Sequence, residues 1–168
     1  MTKDEHVISL LVTNRPGVLS RVSGIFGRQG YNIESLCVAE TIDPQVSRIT
    51  LVSNTELSFK EKIKKQLDKL VDIIEVTELP RTKSVQREML LIGISIKKKV
   101  RADVMKAIEM FRCKVIFLKA DYCILEIVGS KEETETALNF FQPLGVQEIA
   151  RTGIIALSHK NNLSLIHI

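Results

Sequence analysis

Thr13-Asn14-Arg15-Pro16-Gly17-Val18-Leu19-Ser20-Arg21-Val22, followed by Gly30-Tyr31-Asn32-Ile33-Glu34-Ser35, decides how this chain folds. An apolar run over 6–12 precedes it and is long enough for one buried strand. Asn14 is placed to cap a helix, and Pro16 to sit in its first turn, where a missing N–H costs nothing. Gly17 leaves room for close approach to the backbone. Val18, Val22, Ile25 and Phe26 then recur at i, i+4, i+7 and i+8, one face of a helix over 15–29. Gly30 stops that helix, and Asn32-Ile33 opens the next strand.

This strand, tight loop and helix make a ready anion site. The N–H groups of a first helical turn have no partner within the helix, and the helix dipole favours negative charge there. The loop has no Gly-Lys-Ser/Thr and no G-x-G-x-x-G, so a nucleotide phosphate is not the expected anion. One glycine and two asparagines suit a smaller group such as a carboxylate. A plain capped helix with no ligand is the competing reading of Asn14-x-x-Gly17 alone.

Downstream, 33–42 and 45–53 read as two strands broken by Asp43-Pro44. Ser58-x-x-Glu61 has the form of a capping box and opens a helix whose apolar face is Phe59, Ile63, Leu67, Leu70 and Val71. A short strand, 73–79, ends at Pro80, and Arg81-Thr82-Lys83-Ser84 reads as a linker. The order then repeats. A strand over 85–97 precedes a helix over 101–112, with Val104, Ala107, Ile108 and Phe111 on one face. Strands 114–120 and 122–128 follow, then a helix opened by Ser130-x-x-Glu133 that buries Ala137, Leu138 and Phe141. The last strand is 146–157, bulged near Gly153.

Both halves therefore read βαββαβ. The expected class is α+β: two ferredoxin-like domains, 1–80 and 85–159, joined by the linker 81–84. Each has two helices on one face of a four-stranded antiparallel sheet, with its second strand at an edge. The tail 160–168 is expected to fray, or to dock Leu163, Leu165 and Ile166 on a neighbour. The second half has no Asn-x-x-Gly after its first strand, so no corresponding site is assigned there.

Composition narrows the function. With 168 residues the chain can hold one good core or two small ones. No apolar run approaches the roughly 20 residues of a membrane span. Met1-Thr2-Lys3-Asp4-Glu5 carries no apolar secretory segment, so the cytoplasm is the expected compartment, with an organelle such as a plastid left open. Cys37, Cys113 and Cys123 lack C-x-x-C spacing and sit in or beside apolar runs, so they read as buried free thiols. His6, His159 and His167 lie far apart in sequence, and no metal site is expected. No nucleophile elbow and no acid/base pair is set by spacing, so the chain is not expected to be an enzyme by itself. The net charge of +4 is densest at Lys97-Lys98-Lys99 with Arg101, where a solvated loop accounts for it. RNA readers on a ferredoxin-like frame stack bases on aromatic side chains of central strands; Val46-Ser47-Arg48-Ile49-Thr50-Leu51-Val52 has none. Neither nucleic acid nor membrane is expected as a partner.

Asn14 to Val22, with Arg28-Gln29-Gly30-Tyr31-Asn32-Ile33-Glu34-Ser35-Leu36, resembles the ACT domain of the regulatory (small) subunits of acetohydroxyacid synthase, also called acetolactate synthase. The resemblance continues in Gln66-Leu67-Asp68-Lys69-Leu70-Val71-Asp72 and Val85-Gln86-Arg87-Glu88-Met89. It resumes in Ile108-Glu109-Met110-Phe111-Arg112 and Glu148-Ile149-Ala150-Arg151-Thr152-Gly153. It implies that the first domain is an ACT domain and that the chain forms a homodimer. It further implies a large catalytic subunit as partner, carrying thiamine diphosphate, Mg²⁺ and FAD, with no cofactor in this chain. Activation of that subunit and feedback inhibition by a branched-chain amino acid, usually valine, would follow. The expected effector site is Asn14, Gly17, Val18, Leu19, Asn32 and Ile33. Backbone N–H groups near Gly17, Val18 and Leu19 would meet the carboxylate. The carbonyls of Asn14 and Asn32 would accept from the ammonium group, and Val18, Leu19 and Ile33 would line the aliphatic end. A stand-alone amino-acid sensor and an RNA-binding ferredoxin-like module are the alternatives.

Overall fold

The computed structural model describes residues 4–55 and 59–159. Ser58 of the first expected capping box, the side chain of Phe59 and the tail 160–168 lie outside the described residues. The chain divides into two compact units. One runs through Gln86 and takes in the chain again from Ile154; the other is Arg87–Gly153.

The first unit holds β1 (Asp4–Thr13), α1 (Val18–Arg28), β2 (Ser35–Glu40), β3 (Val46–Thr55), α2 (Phe59–Leu67) and β4 (Ile73–Glu78). Its sheet has the order β2-β3-β1-β4, with antiparallel neighbours throughout, so β2 is an edge. Ile8, Leu10 and Val12 of β1 pack with Val18, Val22, Ile25 and Phe26 of α1 and Ile63 and Leu67 of α2. Val7 lies in a second cluster with Val52, Leu79, Ile154 and Ala156. Covered on both faces, β1 is buried continuously over 6–12 rather than alternating, with His6 and Ser9 among its apolar residues.

Several boundaries differ from the sequence reading for local reasons. Gly17 is the N-cap of α1 at φ +82, a left-handed residue that cannot belong to a right-handed helix. The helix therefore starts at Val18 and leaves Pro16 in the loop. β2 is shorter than 33–42, because a turn held by Asp43 N–H to Thr41 Oγ1 and Gln45 N–H to Asp43 Oδ1 takes over at its far end. Val71, expected on the buried face of α2, is 98% exposed, since that helix ends at Leu67. Leu70 does pack against the core. The stretch read as a linker contains a turn of 3-10 helix, Arg81–Lys83. Ser84 Oγ donates to the carbonyls of Leu79 and Pro80 at 3.1 and 2.8 Å, and Gln86 Nε2 to Leu79 O at 2.8 Å.

The chain continues through β5 (Ser84–Ser95), α3 (Arg101–Met110), β6 (Lys114–Leu118), β7 (Tyr122–Gly129), α4 (Lys131–Phe141), β8 (Val146–Arg151) and β9 (Ile155–Ser158). The second sheet runs β6-β7-β5-β8, the same order as the first, and β9 also pairs with β5. Leu90, Ile92 and Ile94 form the core of the second unit with Val104, Ala107, Cys123, Leu125, Ile127, Ala137 and Phe141. Leu138, Ile108 and Phe111 pack half-buried around it. The expected capping box at Ser130 is formed. Its hydroxyl accepts from Glu133 N–H at 3.3 Å, and the Glu133 carboxylate accepts from Ser130 N–H at 2.6 Å. The last strand is not one bulged strand: Gly153, at φ +78, divides it into β8 and β9. That turn lets Ile154 and Ala156 join Val7, Val52 and Leu79. The three cysteines are free thiols; Cys123 is buried, and Cys37 and Cys113 are half-buried.

Candidate functional site

The loop between β1 and α1 is held from below by backbone and from the side by Asn14. Asn14 N–H donates to Gln45 O at 2.7 Å. Its side-chain Nδ2 donates to Glu40 Oε1 at 3.0 Å and to Pro44 O at 2.9 Å. Asn14 therefore does not cap α1, as the sequence suggested. It fastens the loop to the end of β2 and to the turn after it, and its Oδ1 takes no donor among the described residues. No side chain caps α1, and its first turn has no acidic residue. The first bond of the ladder is Arg21 N–H to Gly17 O at 3.0 Å, so the N–H groups of Leu19 and Ser20 precede it. The helix start thus keeps its partial positive charge and its donors.

Arg21 lies directly over this loop. A Cβ added to Gly17 would stand 3.1 Å from Arg21 Nη1. The same guanidinium donates to Asp72 Oδ2 through Nε at 3.0 Å and Nη2 at 2.6 Å. Thr13 holds Asp72 from the other side: its hydroxyl donates to Asp72 Oδ1 at 3.2 Å, and its N–H to Asp72 O at 2.9 Å. The guanidinium of Arg21 keeps the Asp72 carboxyl below the usual carboxylate range. The left-handed backbone at 17 favours glycine, and a Cβ there would crowd the end of the Arg21 side chain.

The structure does not bring all six expected site residues together within one chain. Asn14, Gly17, Val18 and Leu19 lie beside Thr13, which pairs with Val46 at one end of β3. Asn32 lies at the other end, where its backbone carbonyl accepts from Ser53 Oγ at 2.5 Å. From Val46 to Ser53 a strand spans about 23 Å. Val18 is 4% exposed and its side chain belongs to the core, so it does not line an aliphatic pocket. Leu19, 41% exposed, is free to do so. Ile33 is half-buried against the core, and Asn32 is exposed, with Nδ2 on Glu34 Oε1 at 2.9 Å and Oδ1 open. Sequence reasoning missed Arg21, Asp72 and Thr13. Arg21 had a signal, one helical turn after Gly17 on the exposed face. Asp72 had none, since it meets Arg21 across 51 positions of chain.

Elsewhere, buried His6 stands 3.2 Å from Glu78 Oε1. Among the described residues no three His, Cys, Asp or Glu side chains are grouped to hold a metal ion, and no helix is long and apolar enough to cross a membrane.

Comparison with known proteins gives a consistent picture over both units. Residues 8–75 match the family described as the AHAS small subunit-like ACT domain, and residues 87–160 match the family described as the small subunit of acetolactate synthase. The chain is similar to the acetolactate synthase small subunit of Mycolicibacterium smegmatis, 39% identical over 91% of this chain and 90% of that protein. It is 37% identical to the acetolactate synthase small subunit of Bacillus subtilis, over 92% of this chain and 90% of that protein. The crystal structure of the acetolactate synthase small subunit from Thermotoga maritima superposes with a TM-score of 0.87. It is 36% identical and covers 94% of this chain and 99% of that one.

Proposed function

The chain belongs to the acetolactate synthase small-subunit family, and on that premise we propose that it is a feedback-sensing regulatory subunit. It activates a large catalytic subunit in branched-chain amino-acid biosynthesis and makes that subunit sensitive to valine or a close relative. Thiamine diphosphate, Mg²⁺ and FAD would belong to the large subunit, where thiamine diphosphate would supply the carbon–carbon bond chemistry. This chain contributes binding and coupling in the cytoplasm.

One observation carries the site assignment: the exposed edge β2 runs between the two separated halves of the expected site. Two copies that pair β2 antiparallel form an eight-stranded sheet. Pairing Cys37 with the partner's Val38 sets the partner's Asn32 beside Asp43 and Pro44, where Asn14 holds the loop. Each ligand then bridges two protomers. Its carboxylate meets the N–H groups of Leu19 and Ser20 at the start of α1. Its ammonium group donates to the open carbonyls of Asn14 and the partner's Asn32. Leu19 covers the aliphatic end, with Ile33 contributed by the partner. Binding shifts activity only as far as the ligand prefers one assembly state, typically about 1–3 kcal/mol.

Calorimetric titration of the purified chain with valine, leucine and isoleucine tests this reading, followed by valine titration of the enzyme reconstituted with its large subunit. One methylene discriminates by about 1–3 kcal/mol, so saturable binding with modest selectivity is expected. Product formation from pyruvate by the isolated chain, or no binding of any of the three, contradicts it.

A further inference from the structure

Arg21 has one donor group left over. Nε and Nη2 are both committed to Asp72 Oδ2, at 3.0 and 2.6 Å. Nη1 takes no acceptor among the described residues, and it points at Gly17, 3.1 Å from where a Cβ would stand. An exposed ion pair of this kind contributes little stability by itself. What distinguishes it is placement. The guanidinium is pinned on one side, and Nη1 lies beside Gly17, the N-cap residue at which the uncapped start of α1 begins. A guanidinium fork is built to recognise a planar carboxylate, and a fork already held by a second group loses less freedom when it does so.

The geometry points to Arg21 as a carboxylate-contacting residue of the effector site, with Asp72 as the residue that positions it and Thr13 as the residue that positions Asp72. This inference rests on the amino-acid site proposed above and adds a charged contact to it. The relay runs from the end of β1, through the segment before β4, to the exposed face of α1. A side chain at 17 would crowd Nη1, which stands 3.1 Å from where its Cβ would lie. The site then recognises an amino acid as a zwitterion. Arg21 and the helix start take the carboxylate, and the asparagine carbonyls take the ammonium group.

The test compares valine with valinamide, which keeps the ammonium group and side chain but has no carboxylate charge. Both are titrated calorimetrically into the full-length chain and into Arg21→Gln, Arg21→Lys and Asp72→Asn, with thermal melts as a folding check. Arg21→Gln should weaken valine about ten- to hundredfold, the range for one hydrogen bond to a charged group. Valinamide binding should be unchanged. Arg21→Lys, which keeps the charge without the fork, should recover part of the loss. Asp72→Asn should weaken valine several-fold and leave valinamide alone. Equal weakening of both ligands, or unaltered valine binding in Arg21→Gln and Arg21→Lys, overturns the assignment while leaving the site intact. A wild-type chain that binds neither ligand overturns the site and this inference together.

Discussion

Asn14 and Asn32 stand at opposite ends of one sheet, each with its side-chain amide nitrogen engaged by its own chain and its side-chain oxygen taking no donor among the described residues. Asn14 Nδ2 is held by Glu40 and Pro44, and Asn32 Nδ2 by Glu34. A single protomer cannot place both around one small amino acid. Two copies that meet along β2 would let both serve one ligand.

This arrangement predicts how the two halves of the site fail. Gly17→Asp sets a carboxylate beside the ligand carboxylate. At about 4 Å and an effective dielectric near 20, that repulsion is roughly 4 kcal/mol. Asn32→Ala removes one hydrogen bond to a charged group, about 1.5–3 kcal/mol. Because Gly17 sits at φ +82, the aspartate also strains the backbone, by up to about 1–2 kcal/mol. Both variants should activate the large subunit while losing inhibition, measured as activity across a valine titration. Loss of activation as well would make the loop an assembly element.

The second unit has its own locked pair. Glu88 is 4% exposed and accepts from Thr134 Oγ1 and from Arg151 Nη2, the latter at 2.6 Å. Arg151→Met leaves that carboxylate buried without its counter-charge, which should cost about 3–5 kcal/mol in urea unfolding. Adding Glu88→Gln should return much of this. Strictly additive losses would show that the two residues are not coupled.

Acid stability should report on Asp72. Its carboxyl is held below the ordinary value of 3.8, chiefly by the hydrogen bonds from Arg21. The unfolded chain binds the proton more readily, so this contribution is complete above the ordinary carboxylate range. It is lost as pH falls through the depressed value. Asp72→Asn should melt with a shallower pH dependence below about pH 4 than the wild type. Parallel acid limbs would contradict this.

A chain ending at Gln86 should fold and still bind valine, but less stably than the intact protein. It retains the sheet, both helices and the Ser84 and Gln86 bonds to Leu79 O. It loses Ile154 and Ala156 from the cluster with Val7, Val52 and Leu79. Removing two apolar side chains from contact should cost roughly 2–4 kcal/mol, read from thermal melts of the two proteins. An unfolded fragment, or one that folds without binding, would refute the division of labour proposed between the units.

What was legible in the sequence was periodic or local. The helical spacing of Val18, Val22, Ile25 and Phe26 named the buried face of α1, and all four are buried. Ser130-x-x-Glu133 named a capping box that formed, because both partners lie within one turn. The edge position of each domain's second strand followed from the repeated βαββαβ pattern. The failures were three-dimensional. Asn14 looked like a cap, since nothing local revealed the Glu40 and Pro44 partners across β2. Val18 stood in the loop motif and also on the helix face, and packing decided for the face. The return of 154–156 to the first unit depended on the left-handed turn at Gly153, which reads in sequence as a bulge.

The most direct measurement mixes Gly17→Asp with Asn32→Ala. Each homodimer has two defective sites. A mixed dimer has one site with both defects and one with an intact loop facing an intact Asn32. At equal concentrations and random exchange, about a quarter of all sites should be restored. Calorimetry of the mixture should then show valine binding of near wild-type affinity at that reduced stoichiometry, where neither variant alone binds with that affinity. If exchange is confirmed and the mixture binds no better than its components, loop and Asn32 do not meet across two protomers, and the shared-edge site is wrong.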